Sequence, residues 1–253
     1  MTKGILLYCF DTEQTQYHLL LKKCFNQIEK YLKLPVTVVT NQQTYLNIKD
    51  LKANFCIVEN KSGNTRFYRG QNVPWHNMER VNAYDHSPYD QTILMDIDYF
   101  VFSNELIKYF DTDYDYLLHD KVRDITGKNS ILGKNESTLP IVWATVIIFK
   151  KTEKSQLLFD AVKLIQKNYS HYRNLYRIKH RNYRNDFAFA VAIHQLNGMI
   201  DNKNFIPNPM FMLPHEQDIL EFDDTGVLFK YDKKIGILQE TDVHILDKEF
   251  VNV

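Results

Sequence analysis

Ser87-Pro88-Tyr89-Asp90-Gln91-Thr92-Ile93-Leu94-Met95-Asp96-Ile97-Asp98-Tyr99 is the stretch that decides the fold. Thr92 to Met95 is a short apolar run and reads as a buried strand. The run stops at two carboxylates separated by one residue. In an open α/β sheet, ligands gather outside the carboxyl ends of the strands. Asp96 and Asp98 at such an end can both reach one hard cation. Oxygen donors suit Mg²⁺ or Mn²⁺, either of which can bridge a diphosphate. The spacing alone is weak evidence, because Asp111-Thr112-Asp113 and Asp113-Tyr114-Asp115 repeat it. Those copies lie in a polar stretch, where a turn or helix end explains them.

Outward from that strand, the chain alternates strand and helix patterns. Ile5 to Phe10 is a continuous apolar run and predicts a parallel strand. Apolar residues from Thr15 to Leu32 return at helical spacing, and Pro35 predicts the stop. Val36 to Thr40 is β-branched and Phe55 to Val58 apolar, predicting two more strands. Strand–helix–strand order implies a right-handed crossover and a parallel sheet. Residues 60 to 76 are polar and carry Arg66 and Arg69. Further on, the spacing predicts helices over 77–84, 104–110, 154–169 and 186–196. It predicts strands over 116–118, 142–149, 227–231 and 235–238. Asp120 to Ser137, with Gly127 and Gly133, reads as a long loop. With no repeat and no linker, 1–253 reads as a single α/β domain whose last stretch, roughly 50 residues, wraps back onto it.

An apolar content of 44 %, with 8 Gly and 7 Pro, excludes disordered and fibrous classes. Lys plus Arg and Asp plus Glu both number 31, so global charge selects no partner. The local pattern is less even. Tyr172, Arg173, Arg177, Lys179, Arg181 and Arg184 precede the first acid, Asp186. Basic residues interleaved with tyrosines can hold phosphates and stack bases. Cys9, Cys24 and Cys56 have neither disulfide nor zinc spacing, and Cys9 and Cys56 read as buried thiols. There is no leader pattern and no apolar run long enough to span a bilayer. The expectation is a cytoplasmic protein without a membrane partner.

The run from Ser87 to Tyr99 resembles the segment leading into the metal site of GT-A-fold glycosyltransferases. Pro74, Trp75, Asn77, Arg80 and Ala83-Tyr84 look like the helix before it. The resemblance implies a mixed central sheet flanked by helices. It also implies donor contacts from Tyr8, Phe10, Asp11, Thr12, Arg80, Asp96, Ile97 and Lys248. Asn185-Asp186 resembles the helix start that turns an acid, here Asp186, toward the donor sugar. Helix-start capping is the plain alternative. Asp242-Val243-His244-Ile245-Leu246-Asp247-Lys248 resembles the tail of glycogenin-like retaining members. There a late His joins the metal site and a Lys touches the diphosphate. That implies Asp96, Asp98 and His244 as ligands for Mn²⁺ or Mg²⁺. Uridine diphosphate is the family's usual donor nucleotide.

The expected activity is metal-dependent sugar transfer to an acceptor hydroxyl, with retention. His119, Asp120, Trp143 and Thr145 are candidates to face the acceptor. Trp143-Ala144-Thr145 departs from the small turn common in the family, which leaves the acceptor open. Some bacteriophage enzymes of related fold glycosylate modified DNA bases, and the basic stretch would suit that acceptor. A glycan or protein hydroxyl is the alternative. A non-catalytic nucleotide- or cation-binding protein is the reading from a different class.

Overall fold

The computed structural model describes residues 1–13, 15–59, 65–68, 71–74, 76–127, 139–200, 204–215, 218–248 and 250. Its first half follows the strand–helix pattern closely. β1 (Lys3–Tyr8), β2 (Val36–Thr40) and β3 (Asn54–Ile57) are linked by α1 (Tyr17–Gln27) and α2 (Gln42–Ile48). The three strands pair in parallel. α1 widens into a π turn over Ile28–Leu32 and is capped by Lys33, whose φ of 52° is left-handed. That reversal ends the helix before Pro35 is reached. α2 begins at Asn41, whose side chain accepts the Thr44 amide.

β4 (Thr65–Tyr68) and β5 (Gln71–Pro74) form a hairpin. A 3₁₀ turn over His76–Asn82 runs into α3 (Ala83–His86). β6 (Gln91–Met95) then pairs in parallel with β1. β7 (Tyr99–Phe100), β8 (Tyr116–His119), β9 (Val122–Asp124) and β10 (Trp143–Lys150) follow. β10 lies antiparallel between β6 and β8, giving a mixed sheet of order β3-β2-β1-β6-β10-β8. α4 (Glu153–Lys167), α5 (Tyr169–Leu175) and α6 (Asn185–Leu196) come next. Four strands follow them: β11 (Met210–Leu213), β12 (Asp218–Phe222), β13 (Gly226–Tyr231) and β14 (Lys234–Gln239). The last strand is β15 (Val243–Ile245). β12, β13 and β14 form a meander, and β7-β15-β11-β9 form a second small sheet.

Period-two alternation sorts the side chains into two cores. Ile5, Leu7, Ile93 and Met95 face α1 and the second sheet, among Leu20, Cys24, Met212 and Val243. Leu6, Leu94, Ile147 and Phe149 face the other way, against Phe159 of α4 and Ala188 and Phe189 of α6. Both faces of the central strands are covered, which is why they read as continuous apolar runs.

β4, β5, α5 and β12 go beyond the elements expected from the sequence, and three further places differ. Cys56 is only half-buried, because β3 is the sheet edge. The expected loop after Asp120 contains β9, whose Val122 and Asp124 are buried where the strand pairs with β11. The short strands β7, β11 and β15 carry no pattern long enough to read. Arg69, Trp75, residues 128–137 and the side chain of Arg66 lie outside the described residues.

Ser87 to Asp90, the start of the run that resembles a lead-in to the metal site, clasps β6 to its neighbours. The Asp90 carboxylate accepts the Thr2 amide at 2.7 Å, and Ser87 Oγ bonds Thr92 Oγ1 at 2.6 Å. The Tyr89 hydroxyl bonds Thr37 Oγ1 at 2.8 Å, with its ring lying flat over Gly4. A Cβ on Gly4 would stand 2.4 Å from that ring. Gly4→Ala should therefore displace Tyr89 and cost about 1–3 kcal/mol, the range for overpacking. Urea unfolding of the variant measures this, and an unchanged midpoint would contradict it.

Candidate metal centre

The site begins where β6 ends. The Asp96 amide donates to the Thr145 carbonyl of β10 at 2.9 Å, and the Tyr99 amide donates to the Asp96 carbonyl at 3.1 Å. A single turn therefore carries both Asp96 and Asp98. β7 follows at once and pairs with β15, setting His244 opposite Tyr99. The Ile245 amide donates to the Asp98 carbonyl at 2.9 Å, so the ladder continues onto the turn. β11 fixes β15 from its other side, with Met212 opposite His244. Asp242 accepts the Phe102 amide at 2.8 Å and pins the start of the strand. A slip of one residue would turn His244 to the opposite face.

These constraints bring one ligand atom each from Asp96, Asp98 and His244 within 4.8 Å of one another. His244 Nε2 lies 3.2 Å from Asp98 Oδ1, and Lys248 Nζ lies 3.2 Å from Asp98 Oδ2. Lys248 also sits 5.1 Å from the centroid of the Tyr17 ring at the start of α1. Arg80 is fully buried and donates from Nη1 to Asp96 at 2.6 Å and from Nη2 to the Thr145 carbonyl at 3.4 Å.

Burial pushes the Asp98 carboxyl up, but Lys248 and His244 outweigh it and hold its pKa well below the usual range. Burial also raises Asp96; Arg80 opposes this, Asp98 adds to it, and the net shift is upward. Burial alone would lower the Lys248 ammonium, yet the facing Asp98 carries it upward instead. Two close carboxylates with an imidazole form a donor set suited to a divalent cation.

No protein-family model matches the chain, and no curated protein matches it by sequence. Solved structures do match it. The galactosyltransferase LgtC, determined with donor and acceptor sugar analogues, aligns with a TM-score of 0.51 at 13 % identity. The alignment covers 74 % of this chain and 70 % of LgtC. The fold is the GT-A fold. An active-site mutant of LgtC gives the same TM-score at 14 % identity, over 74 % of this chain and 69 % of that one. Mouse xyloside xylosyltransferase 1 aligns at 13 % identity and a TM-score of 0.49, over 81 % of this chain and 84 % of that one.

Within this GT-A fold the remaining candidates take varied positions. Tyr8 and Phe10 are buried in the core, and the Tyr8 hydroxyl bonds His86 Nδ1 at 2.9 Å. Asp11 accepts the His18 amide and the His18 Nδ1, both at 2.8 Å, and Asn47 Nδ2 at 3.0 Å. It anchors the start of α1 and is already well bonded. Thr12 Oγ1 accepts the Thr15 amide. Ile97 is buried beneath the turn. Asp186 accepts the Ala144 amide at 2.9 Å on one oxygen and Arg184 Nη2 at 2.8 Å on the other. It therefore ties α6 to the start of β10, one residue before the Thr145 carbonyl that holds Asp96 and Arg80.

Trp143 and His119 are cross-strand partners at the sheet's carboxyl edge. His119 Nδ1 donates to the Asn208 carbonyl at 3.1 Å, which leaves Nε2 as an acceptor. Neither His119 Nε2 nor Trp143 Nε1 has a partner among the described residues. Asp120 lies half-buried between β8 and β9. The Thr145 carbonyl and Asp242 were not legible as site residues. A backbone acceptor carries no side-chain signal, and an Asp two residues before a His resembles any other.

Two outcomes test this geometry. Arg80→Met removes the cation facing Asp96. The cost should fall below the about 3–5 kcal/mol of a fully buried pair, because the Asp96 side chain keeps 20 % exposure. Chemical denaturation reads it, and a neutral change would show that the pair holds nothing. Burial lowers the His119 pKa from 6.5 to about 4. Between those values the unfolded chain binds the extra proton, so stability should fall as pH drops through that window, by up to about 3 kcal/mol. His119→Asn should flatten this part of the curve relative to wild type.

Proposed function

We propose that this chain is a metal-dependent glycosyltransferase using a nucleoside-diphosphate sugar, with uridine diphosphate as the donor nucleotide. The observation that carries the reading is the convergence of Asp96, Asp98 and His244 at the carboxyl end of β6, with Lys248 beside them. A bound divalent cation supplies Lewis-acid neutralisation of the departing diphosphate. Lys248 adds positive charge on the same side. Arg80 is bound to Asp96 and buried, so its part is to orient that carboxylate rather than to grip the donor. Asp186, at the start of α6, faces the donor sugar while it holds β10 in place.

Transfer breaks the bond from the anomeric carbon to the diphosphate oxygen and forms one to the acceptor oxygen on the same face. The acceptor proton passes to the departing diphosphate, so no side-chain base is needed. His119, Asp120, Trp143 and Thr145 border the acceptor at the sheet's carboxyl edge. Of the acceptors considered, a hydroxymethylated DNA base would need cations such as the exposed Arg177, Lys179 and Arg181 for its phosphates. A glycan or protein hydroxyl does not need them. Binding to duplex DNA that weakens steeply with salt would separate the two.

The donor half is tested by calorimetric titration with uridine and guanosine diphosphates, with and without Mn²⁺, on wild type and Asp98→Ala. Binding of one nucleotide only with metal, lost in the variant, is the expected result. No binding to folded wild-type protein with Mn²⁺ present would overturn the transferase reading in favour of a plain cation site. The anomeric configuration of the first product tests retention.

A further inference from the structure

We propose that the surface built by α5, the segment after it and the end of α6 docks onto an anionic lipid bilayer. From residue 173 to residue 186 the chain carries five Lys and Arg but a single acid, Asp186, in a protein whose formal charge is zero. That acid is already held by Arg184 and the Ala144 amide. Arg177, Lys179 and Arg181 are exposed. The stretch is therefore a concentrated positive field, and the complementary surface is anionic.

Charge alone would suit nucleic acid equally well. The apolar side chains decide between the two. Leu175 is 62 % exposed, Met199 59 % and Ile200 68 %. The end of α5 meets the end of α6 here: Tyr176, the residue after Leu175, places its hydroxyl 3.7 Å from Sδ of Met199, the residue before Ile200. The backbone presents them outward. Gly198 and Met199 are both left-handed, with φ of 70° and 67°, as is Arg177 at 52°. A left-handed conformation is uncommon for a residue other than glycine. Here it carries Met199 past the end of α6, beside Tyr176. Aliphatic side chains gain nothing against a phosphate backbone. Against a bilayer they enter the interface while neighbouring cations meet anionic headgroups, with aromatics at the boundary. Tyr172 and Tyr176, both half-buried, stand at that boundary.

No described helix is long and apolar enough to cross a membrane; surface docking requires none. The docking face connects to the candidate site through α6, whose first turn holds Asp186 against Ala144. Docking does not depend on sugar transfer, so its test and the nucleotide titration can fail separately.

The test is co-sedimentation of the whole chain with vesicles of phosphatidylcholine alone or mixed with phosphatidylglycerol, at low and high salt. Binding to the mixed vesicles only, reduced by salt, is expected. Arg177→Gln and Arg181→Gln should each weaken it about fivefold, the worth of one cation near an anionic surface. Met199→Asn combined with Ile200→Asn should abolish it with every cation intact; Asn tolerates the left-handed backbone at 199. Unchanged circular dichroism and melting would show these surface variants to be folded. Equal binding to phosphatidylcholine alone would overturn the proposal, as would an apolar double variant that still binds. Failure to bind any vesicle, together with salt-sensitive retention of duplex DNA, would assign the surface to nucleic acid instead.

Discussion

The carboxylate of Asp98 is the point on which the two ends of this molecule meet. One oxygen faces the His244 imidazole and the other the Lys248 ammonium. Its main-chain carbonyl receives the Ile245 amide. The side chain is about nine-tenths buried, and a buried carboxylate without partners would be costly. The last strand supplies those partners only in one register. The interaction therefore folds the tail and assembles a donor set for a cation in the same act. Lys248 extends the arrangement to α1 through the Tyr17 ring.

The opposite wall of the site depends on the start of β10. That strand offers the Thr145 carbonyl to the Asp96 amide and to Arg80, and the Ala144 amide to Asp186. Three groups with proposed roles thus hang on two consecutive residues. β10 is the antiparallel member of an otherwise parallel arrangement, which brings its beginning to the carboxyl end of β6. Mixed topology is what lets backbone from one strand buttress side chains that follow another. A substitution at Trp143 or Ala144 would be felt by Asp96 and Arg80 without touching them.

Charge is distributed with the same division of labour. Cations at the site are buried or paired with carboxylates, whereas Arg177 and Arg181 lie open to solvent beside exposed aliphatics. A neutral total conceals this separation. At the site, positive charge balances Asp96 and Asp98. The outer surface uses it to meet a partner.

The layers and one corner of the site follow from local pattern. The continuous apolar runs of β1, β2, β6 and β10 could be read because both faces of each strand are buried, and the Asp-x-Asp at the end of β6 because strand ends are where ligands gather. The tail His and Lys were found through resemblance rather than pattern, since neither spacing nor periodicity links residue 244 to residue 98. Tertiary structure alone decided that Asp11, Tyr8 and Phe10 are engaged in folding, that Arg80 is buried on Asp96, and that the Ser87–Asp90 run is a clasp. Those outcomes turn on which partner each polar group finds across the chain. A hydrogen bond between residues 2 and 90, or 144 and 186, leaves no periodic trace in sequence. The strands of two to four residues that complete the site have the same cause: they exist only because a neighbour already in place offers them a ladder.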